Sequence, residues 1–128
     1  MRISELARRT GVSTHRLRRY DDLGLVTARR TDRGYRAYDE AAVREVTFLA
    51  MGRDLGFSLD ELGALLPRYR DGSLSIDEMV AGLRARIAVV ETEIAEREEL
   101  RDRLVDHVGW FEQRRAAALG ARSTKETP

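Results

Sequence analysis

Arginine is the residue through which this chain can act on something else. Residues 1–38 hold ten arginines (2, 8, 9, 16, 18, 19, 29, 30, 33 and 36) against four acids, a local charge of +6. The remainder holds 13 basic and 18 acidic residues, or −5, so the net charge is +1. A basic third beside an acidic remainder points to a polyanion as the partner of the first part. All the basic residues but Lys125 are arginine, so the donors are planar guanidinium forks that match phosphate oxygens and guanine edges. One cluster is Thr14, His15, Arg16, Arg18, Arg19 and Tyr20. The other, Tyr35, Arg36 and Tyr38, joins a cation to aromatic hydroxyls.

Other chemistries find no support. With no cysteine there is no disulfide, iron–sulfur cluster or thiolate metal site. His107 beside Asp106 and near Glu112 is too sparse a set for a metal, and His15 stands among arginines. No nucleophile–base pair, phosphate loop or paired-carboxylate motif occurs, so the expectation is a non-enzyme without cofactor. The run 91–99 (ETEIAEREE) reads as a charged helix exterior. No apolar run approaches the roughly 20 residues of a membrane span. Met1-Arg2-Ile3-Ser4 leads into a helical pattern rather than a signal peptide, and a cytoplasmic location is expected.

The elements that must carry the arginines follow from periodicity. Ile3, Leu6 and Ala7 share a face of a short helix. Gly11 suits a tight turn, Ser13 is a good N-cap, and a second helix runs from Thr14 to about Leu23, where Gly24 ends it. This is a helix-turn-helix, whose second helix enters the major groove by its N-terminal end. Thr14 and Arg16 are therefore the candidates for base contact, and Arg18 and Arg19 for phosphate. Leu25-Val26-Thr27 and Tyr35-Arg36-Ala37-Tyr38 flank the turn signal Thr31-Asp32-Arg33-Gly34, predicting a two-stranded wing. Asp39 caps a third helix to about Leu55, and Ser58 opens a fourth that stops at Leu66-Pro67. Leu6, Val12, Leu17, Leu23, Val46, Leu49, Phe57, Leu62 and Leu65 read as core.

Ser75 then caps a long helix to about Asp106, with a break at His107-Val108-Gly109 and a short last helix from Trp110 to Leu119. Val80, Leu83, Ile87, Val90 and Ile94 are spaced 3-4-3-4, and the seam resumes at Leu104 after Arg97 and Arg101. Such a helix spans about 46 Å, more than a small compact body can cover, so a second copy must bury the seam. The predicted organisation is a mainly α chain: a winged helix-turn-helix domain with an accessory helix pair over 1–74, a dimerisation coiled coil with a short C-terminal helix over 75–119, and a disordered tail over 120–128.

The ordered set Ile3-Ser4-Glu5-Leu6-Ala7, Thr10-Gly11-Val12-Ser13, Leu17-Arg18-Arg19-Tyr20-Asp21, Leu23-Gly24-Leu25, Gly34-Tyr35-Arg36-Ala37-Tyr38 and Leu55-Gly56-Phe57-Ser58-Leu59-Asp60-Glu61-Leu62 resembles the MerR family of bacterial transcription regulators. Three positions depart from the family pattern: Arg16 for a small residue, Arg19 for an aromatic and Asp21 for Glu. The resemblance implies a homodimer, paired through an antiparallel coiled coil, that binds an inverted-repeat operator in double-stranded DNA. It implies control of transcription by promoter distortion, with RNA polymerase as a further partner. It also implies that Arg36 and Tyr38 touch the DNA backbone while Tyr35 packs the hairpin. The alternative is an architectural or excisionase-like winged-helix protein without effector response. Short relatives that sense metals or oxidants use cysteines near the end of the dimerisation helix. Larger relatives append a ligand-binding domain for which this length leaves no room. The expected effector is a small organic molecule, a partner protein or none. Direct titration with mercury(II) or copper(I) should give no tight stoichiometric binding, since two histidines and no thiol cannot build a soft-metal site; a stoichiometric isotherm by calorimetry would contradict this.

Overall fold

The computed structural model describes residues 1–126, with side chains described through Ala121. The element order is α1 (Ile3–Thr10), α2 (Thr14–Asp22), β1 (Arg29–Arg30), β2 (Arg36–Ala37), α3 (Glu40–Asp54), α4 (Leu59–Asp71) and α5 (Ile76–Glu126). Two units divide the chain, Met1–Met79 and Val80–Pro128, so the first unit includes the start of α5.

The first unit is organised by its caps. The Ser13 hydroxyl accepts from Arg16 N at 3.2 Å, Asp39 from Ala41 N at 3.0 Å, and Ser58 from Glu61 N at 3.1 Å, with Glu61 returning the bond. Each supplies an orphan donor of a first helical turn with its acceptor. Gly11 takes φ +74° in the turn between α1 and α2, a conformation that a side chain disfavours. The core gathers Leu6 from α1, Leu17 and Tyr20 from α2, Ala42, Val46 and Leu49 from α3, Leu62 from α4, and Val12, Val26 and Tyr38 from the connections. Of the residues read as core, Leu23 is 54% exposed, and Phe57 and Leu65 are only partly buried. Leu66 takes the inward position on α4 that Leu65 was expected to fill.

Three elements differ from expectation. The first wing strand lies at Arg29–Arg30, paired antiparallel with Arg36–Ala37 in the register Arg29↔Ala37 and Arg30↔Arg36. Residues 25–27 are not a strand because their polar groups bond elsewhere: Leu25 N to Tyr20 O, Thr27 N to the Glu45 carboxylate, and Leu25 O from Arg70. Second, α4 runs through Pro67 to Asp71. A helical proline loses one bond and costs about 3 kcal/mol. Contacts on both sides of it hold the helical path: Leu66 is buried, the Tyr69 ring stacks on Phe48 at 4.5 Å, and Arg70 bonds Glu45.

Third, α5 does not break at 107–109. It continues unbroken through Gly109 and Gly120 to Glu126. A glycine weakens a helix by only about 1 kcal/mol and does not stop it. Beyond it, Trp110 meets Phe111 edge to face at 4.7 Å and Arg114 lies 4.3 Å over the indole, a one-turn staple. There is thus no separate short C-terminal helix, residues 120–126 are helical, and the last two residues of the expected tail lie outside the described residues.

Close approach of α3 and α4 depends on Gly52. A Cβ built there would stand 2.3 Å and 2.9 Å from the Leu62 methyls, and Leu62 is 3% exposed. Replacing glycine by alanine gains at most about 1 kcal/mol of helix propensity, whereas overpacking a filled core costs about 1–3 kcal/mol. Gly52→Ala should therefore lower stability by about 1–2 kcal/mol in a urea melt. Combined with Leu62→Ala, itself a core truncation costing about 2–5 kcal/mol, the loss should be smaller than the sum of the two single losses.

Candidate nucleic-acid interface

The arginines of the first cluster project from α2. Arg18 and Arg19 are exposed, as are His15 and Arg16, while Thr14 is half-buried. Tyr20 behaves otherwise: it is 2% exposed, a core residue. Its hydroxyl oxygen accepts from Arg16 Nη2 at 2.7 Å, and the Arg16 guanidinium lies 5.7 Å from its ring. Tyr20 is one helical turn after Arg16, so it acts as a tether for that side chain.

The wing shows the same division. Tyr35 is half exposed and carries the Arg2 guanidinium 4.3 Å over its ring. Arg36 is exposed and Tyr38 is buried. Both bond Asp21 on the last turn of α2. Arg36 Nε and Nη2 donate to the two carboxylate oxygens at 2.5 Å each, and the Tyr38 hydroxyl donates at 2.6 Å. Burial by itself would raise the Asp21 carboxyl, but these bonds and the nearby Arg30 outweigh it and hold it below the ordinary carboxylate value. Arg36 is raised in turn by Asp21, and Tyr38 is raised by burial and by the same bond. The turn is closed by Thr31 N to Tyr35 O at 2.7 Å and Gly34 N to Thr31 O at 2.8 Å. Arg30 and Arg36 face each other across the hairpin, a repulsive pair by itself. Asp21 takes up the charge of Arg36, while Arg30 Nη1 donates to Gly34 O at 3.1 Å.

A cleft of about 450 Å³ lies between helix and wing, with Arg2, Arg18, Asp21, Tyr35, Arg36 and Tyr38 on its walls. Arg2, Arg29, Arg30 and Arg33 belong to the basic third but to neither arginine cluster of the sequence, and Asp21 stands there only as a departure from the family pattern. The charge count was the available signal for the arginines. Nothing in the sequence announces that Asp21 bridges to residues 15 and 17 positions away.

A tight-turned helix pair, a protruding basic helix and a basic hairpin beside it define a winged helix-turn-helix DNA-binding regulator. The comparisons carry this further. The description "MerR HTH family regulatory protein" fits residues 1–69, and "MerR, DNA binding" fits residues 43–107. The HTH-type transcriptional regulator CueR of Salmonella typhi is 33% identical over 106 residues, covering 82% of this chain and 77% of that protein. Heavy metal-dependent transcription regulator 2 of Rhizobium meliloti is 36% identical over 101 residues, covering 78% and 69%. The transcription regulator PbrR691 from Ralstonia metallidurans CH34, solved with lead(II), superposes with TM-score 0.70 at 31% identity, covering 83% and 84%. HiNmlR, a MerR family regulator lacking the sensor domain and solved bound to promoter DNA, shares the fold at TM-score 0.58 and 23% identity, covering 100% and 96%. The chain belongs to the MerR family and is a DNA-binding transcription regulator; its relatives are regulators, not enzymes. Among the described residues no helix is long and apolar enough to cross a membrane, and no group of three His, Cys, Asp or Glu could hold a metal.

The depressed carboxyls set an acid limit on this unit. Asp21 is lowered, and Glu78 on the first turn of α5 is lowered to about 2 by its ion pair with Arg68. A carboxyl lower in the folded than in the unfolded chain contributes fully above its unfolded value near 4 and loses that contribution as pH falls through the folded value. Melting temperature should hold down to pH ~4 and fall between pH ~4 and ~2. Asp21→Asn and Arg68→Ala should each flatten that fall, an outcome readable by circular dichroism; an unchanged acid slope in both variants would refute the assignment.

Proposed function

We propose that the chain binds an inverted-repeat operator as a homodimer and controls transcription by distorting promoter DNA. The observation that carries this is the α5 seam. Val80, Leu83, Ile87, Val90, Ile94 and Leu104 are between 39% and 59% exposed in a single chain. They follow the 3-4 spacing of a coiled coil over about 36 Å of helix. A second copy placed antiparallel covers that seam, and Arg97 and Arg101 then meet acidic residues of the partner, which favours one register.

Two copies present two recognition helices and two wings to two half-sites. Thr14 and the tethered Arg16 read base edges near the helix N-terminus. Arg18, Arg19 and Arg36 hold phosphates, and Arg2, Arg29, Arg30 and Arg33 extend that charge around the wing. Tyr20 and Tyr38, buried and engaged within the protein, support Arg16 and Asp21 from behind, and Tyr35 seats Arg2. Anchors on both sides of a groove fix the path of the duplex, and the bend costs on the order of 1–6 kcal/mol, offset by charge-assisted phosphate contacts. RNA polymerase at the promoter is the machinery acted upon, in the cytoplasm. A heavy-metal response belongs by name to one relative, and lead(II) is bound in another's structure; without cysteine, the response of this chain is to a small organic molecule, to a partner protein or to none.

Light scattering should give twice the 14.6 kDa subunit mass at micromolar concentration; a monomer would refute the dimer. Ile87→Glu should weaken dimerisation and operator affinity together, each by about tenfold or more. Affinity should fall with salt at a slope of about −0.9 per neutralised phosphate. Arg18→Ala should flatten that slope by about one unit, and Arg16→Ala should relax preference at one base pair of each half-site. Undistorted operator in a circular-permutation gel would leave only a plain DNA-binding dimer.

A further inference from the structure

Arg36 has five guanidinium N–H groups in one plane. Those on Nε and Nη2 that face Asp21 are used at 2.5 Å each. The opposite edge, Nη1 and the second Nη2 proton, points away from the carboxylate, and the side chain is 43% exposed. Asp21 is not free to turn. Its side chain is 9% exposed, and the Tyr38 hydroxyl also donates to it at 2.6 Å. The Tyr38 backbone is in turn pinned by reciprocal bonds with Met1, 2.5 Å to the Tyr38 carbonyl and 2.7 Å from its N–H.

An acid on the wall of a DNA-facing cleft repels phosphate and lowers affinity for every duplex. Its benefit must lie elsewhere, and the geometry shows where. Asp21 belongs to the recognition helix and Arg36 to the wing, so the pair fixes the reach from one to the other. A freely rotating arginine satisfies phosphates over a range of positions. A locked one satisfies only those at the spacing the helix in its groove permits, which trades affinity for selectivity.

We propose that Asp21 is a positioning residue for DNA recognition: it locks the wing arginine Arg36 to the recognition helix and presents the outer guanidinium edge to one phosphate of the duplex. This rests on the DNA-binding reading of helix and wing, and the test separates the two. In the free chain of 128 residues, the Arg36 Nε–H resonance should be slowed in exchange with water, and Asp21→Asn should abolish that protection. Binding is then compared on an inverted repeat selected from a randomised duplex pool and on a random-sequence duplex. Asp21→Asn should bind the random duplex as tightly as the native chain or more tightly, and the selected one more weakly, so that the specificity ratio drops about tenfold. Arg36→Lys keeps the charge but loses the fork, and should lose the ratio to the same degree. The double variant should lose no more than either single one. Arg36→Lys leaves the bond from Tyr38 to Asp21 in place and carries this arm should Asp21→Asn fail to fold. A native ratio in folded Asp21→Asn, with only a lower melting temperature, would overturn the proposal. So would a fast-exchanging Arg36 Nε–H in the native chain. Absence of any sequence preference in the native chain would sink the DNA-binding reading instead, and the Nε–H measurement would still decide the role of Asp21.

Discussion

The DNA-binding unit turns on one buried carboxylate. Glu45, in the middle of α3 and 2% exposed, accepts from Thr27 N at 2.9 Å, from the Thr27 hydroxyl at 3.1 Å, and from Arg70 Nε. Burying a lone carboxylate would be prohibitive. It is tolerable here because three donors from two residues, Thr27 and Arg70, satisfy it, one of them a backbone N–H and one a guanidinium. The same Arg70 donates to Leu25 O at 3.0 Å. One side chain thus ties α3, α4 and the segment that leads from the recognition helix into the wing. Without it, residues 25–27 have polar groups with no ladder to join, and the root of the wing has no fixed place.

The last turn of α4 extends this arrangement. Arg70 faces the wing root, while Arg68, two residues earlier, pairs with Glu78 on the first turn of α5 and donates to Ser73 O at 2.8 Å. Proline sits just before this turn. A helix made locally weaker by Pro67 is held at its end by two arginines that look in different directions. The consequence is mechanical. The start of the long helix and the root of the wing are both anchored to the same short stretch of α4, within one unit.

The sequence carried the elements with local signals well. Ser13, Asp39 and Ser58 mark their helices because a cap is a bond within three residues, and apolar spacing placed Leu6, Leu17, Val46, Leu49 and Leu62 in the core. It carried poorly whatever depended on partners distant in the chain. The strand expected at 25–27 failed because Glu45 and Arg70, 18 and 45 residues away, claim its polar groups. In the sequence Tyr20 and Tyr38 fall among the exposed arginines, and an aromatic hydroxyl beside a cation fits either side of a surface. Their burial became visible only with the fold. The break expected at Gly109 reflects a different limit: glycine lowers helix stability but signals an end only where the chain turns into φ > 0, as at Gly72 after α4.

The length of α5 raises its own question of stability. In water a helix draws most of its stability from packing an apolar face, not from propensity. The segment from Val80 onward has little else to draw on. Its exterior ion pairs, such as Arg101 with Asp102 at 3.0 Å, are largely exposed to solvent, where such pairs contribute little. Its apolar positions, from Val80 to Phe111, are exposed. Pairing of two such helices would cover the seam and supply the missing term to both at once. Arginines at 97 and 101 interrupt that seam, so they would weaken a generic pairing while disfavouring registers in which they face each other. On this reasoning the long helix and the homodimer proposed above depend on each other.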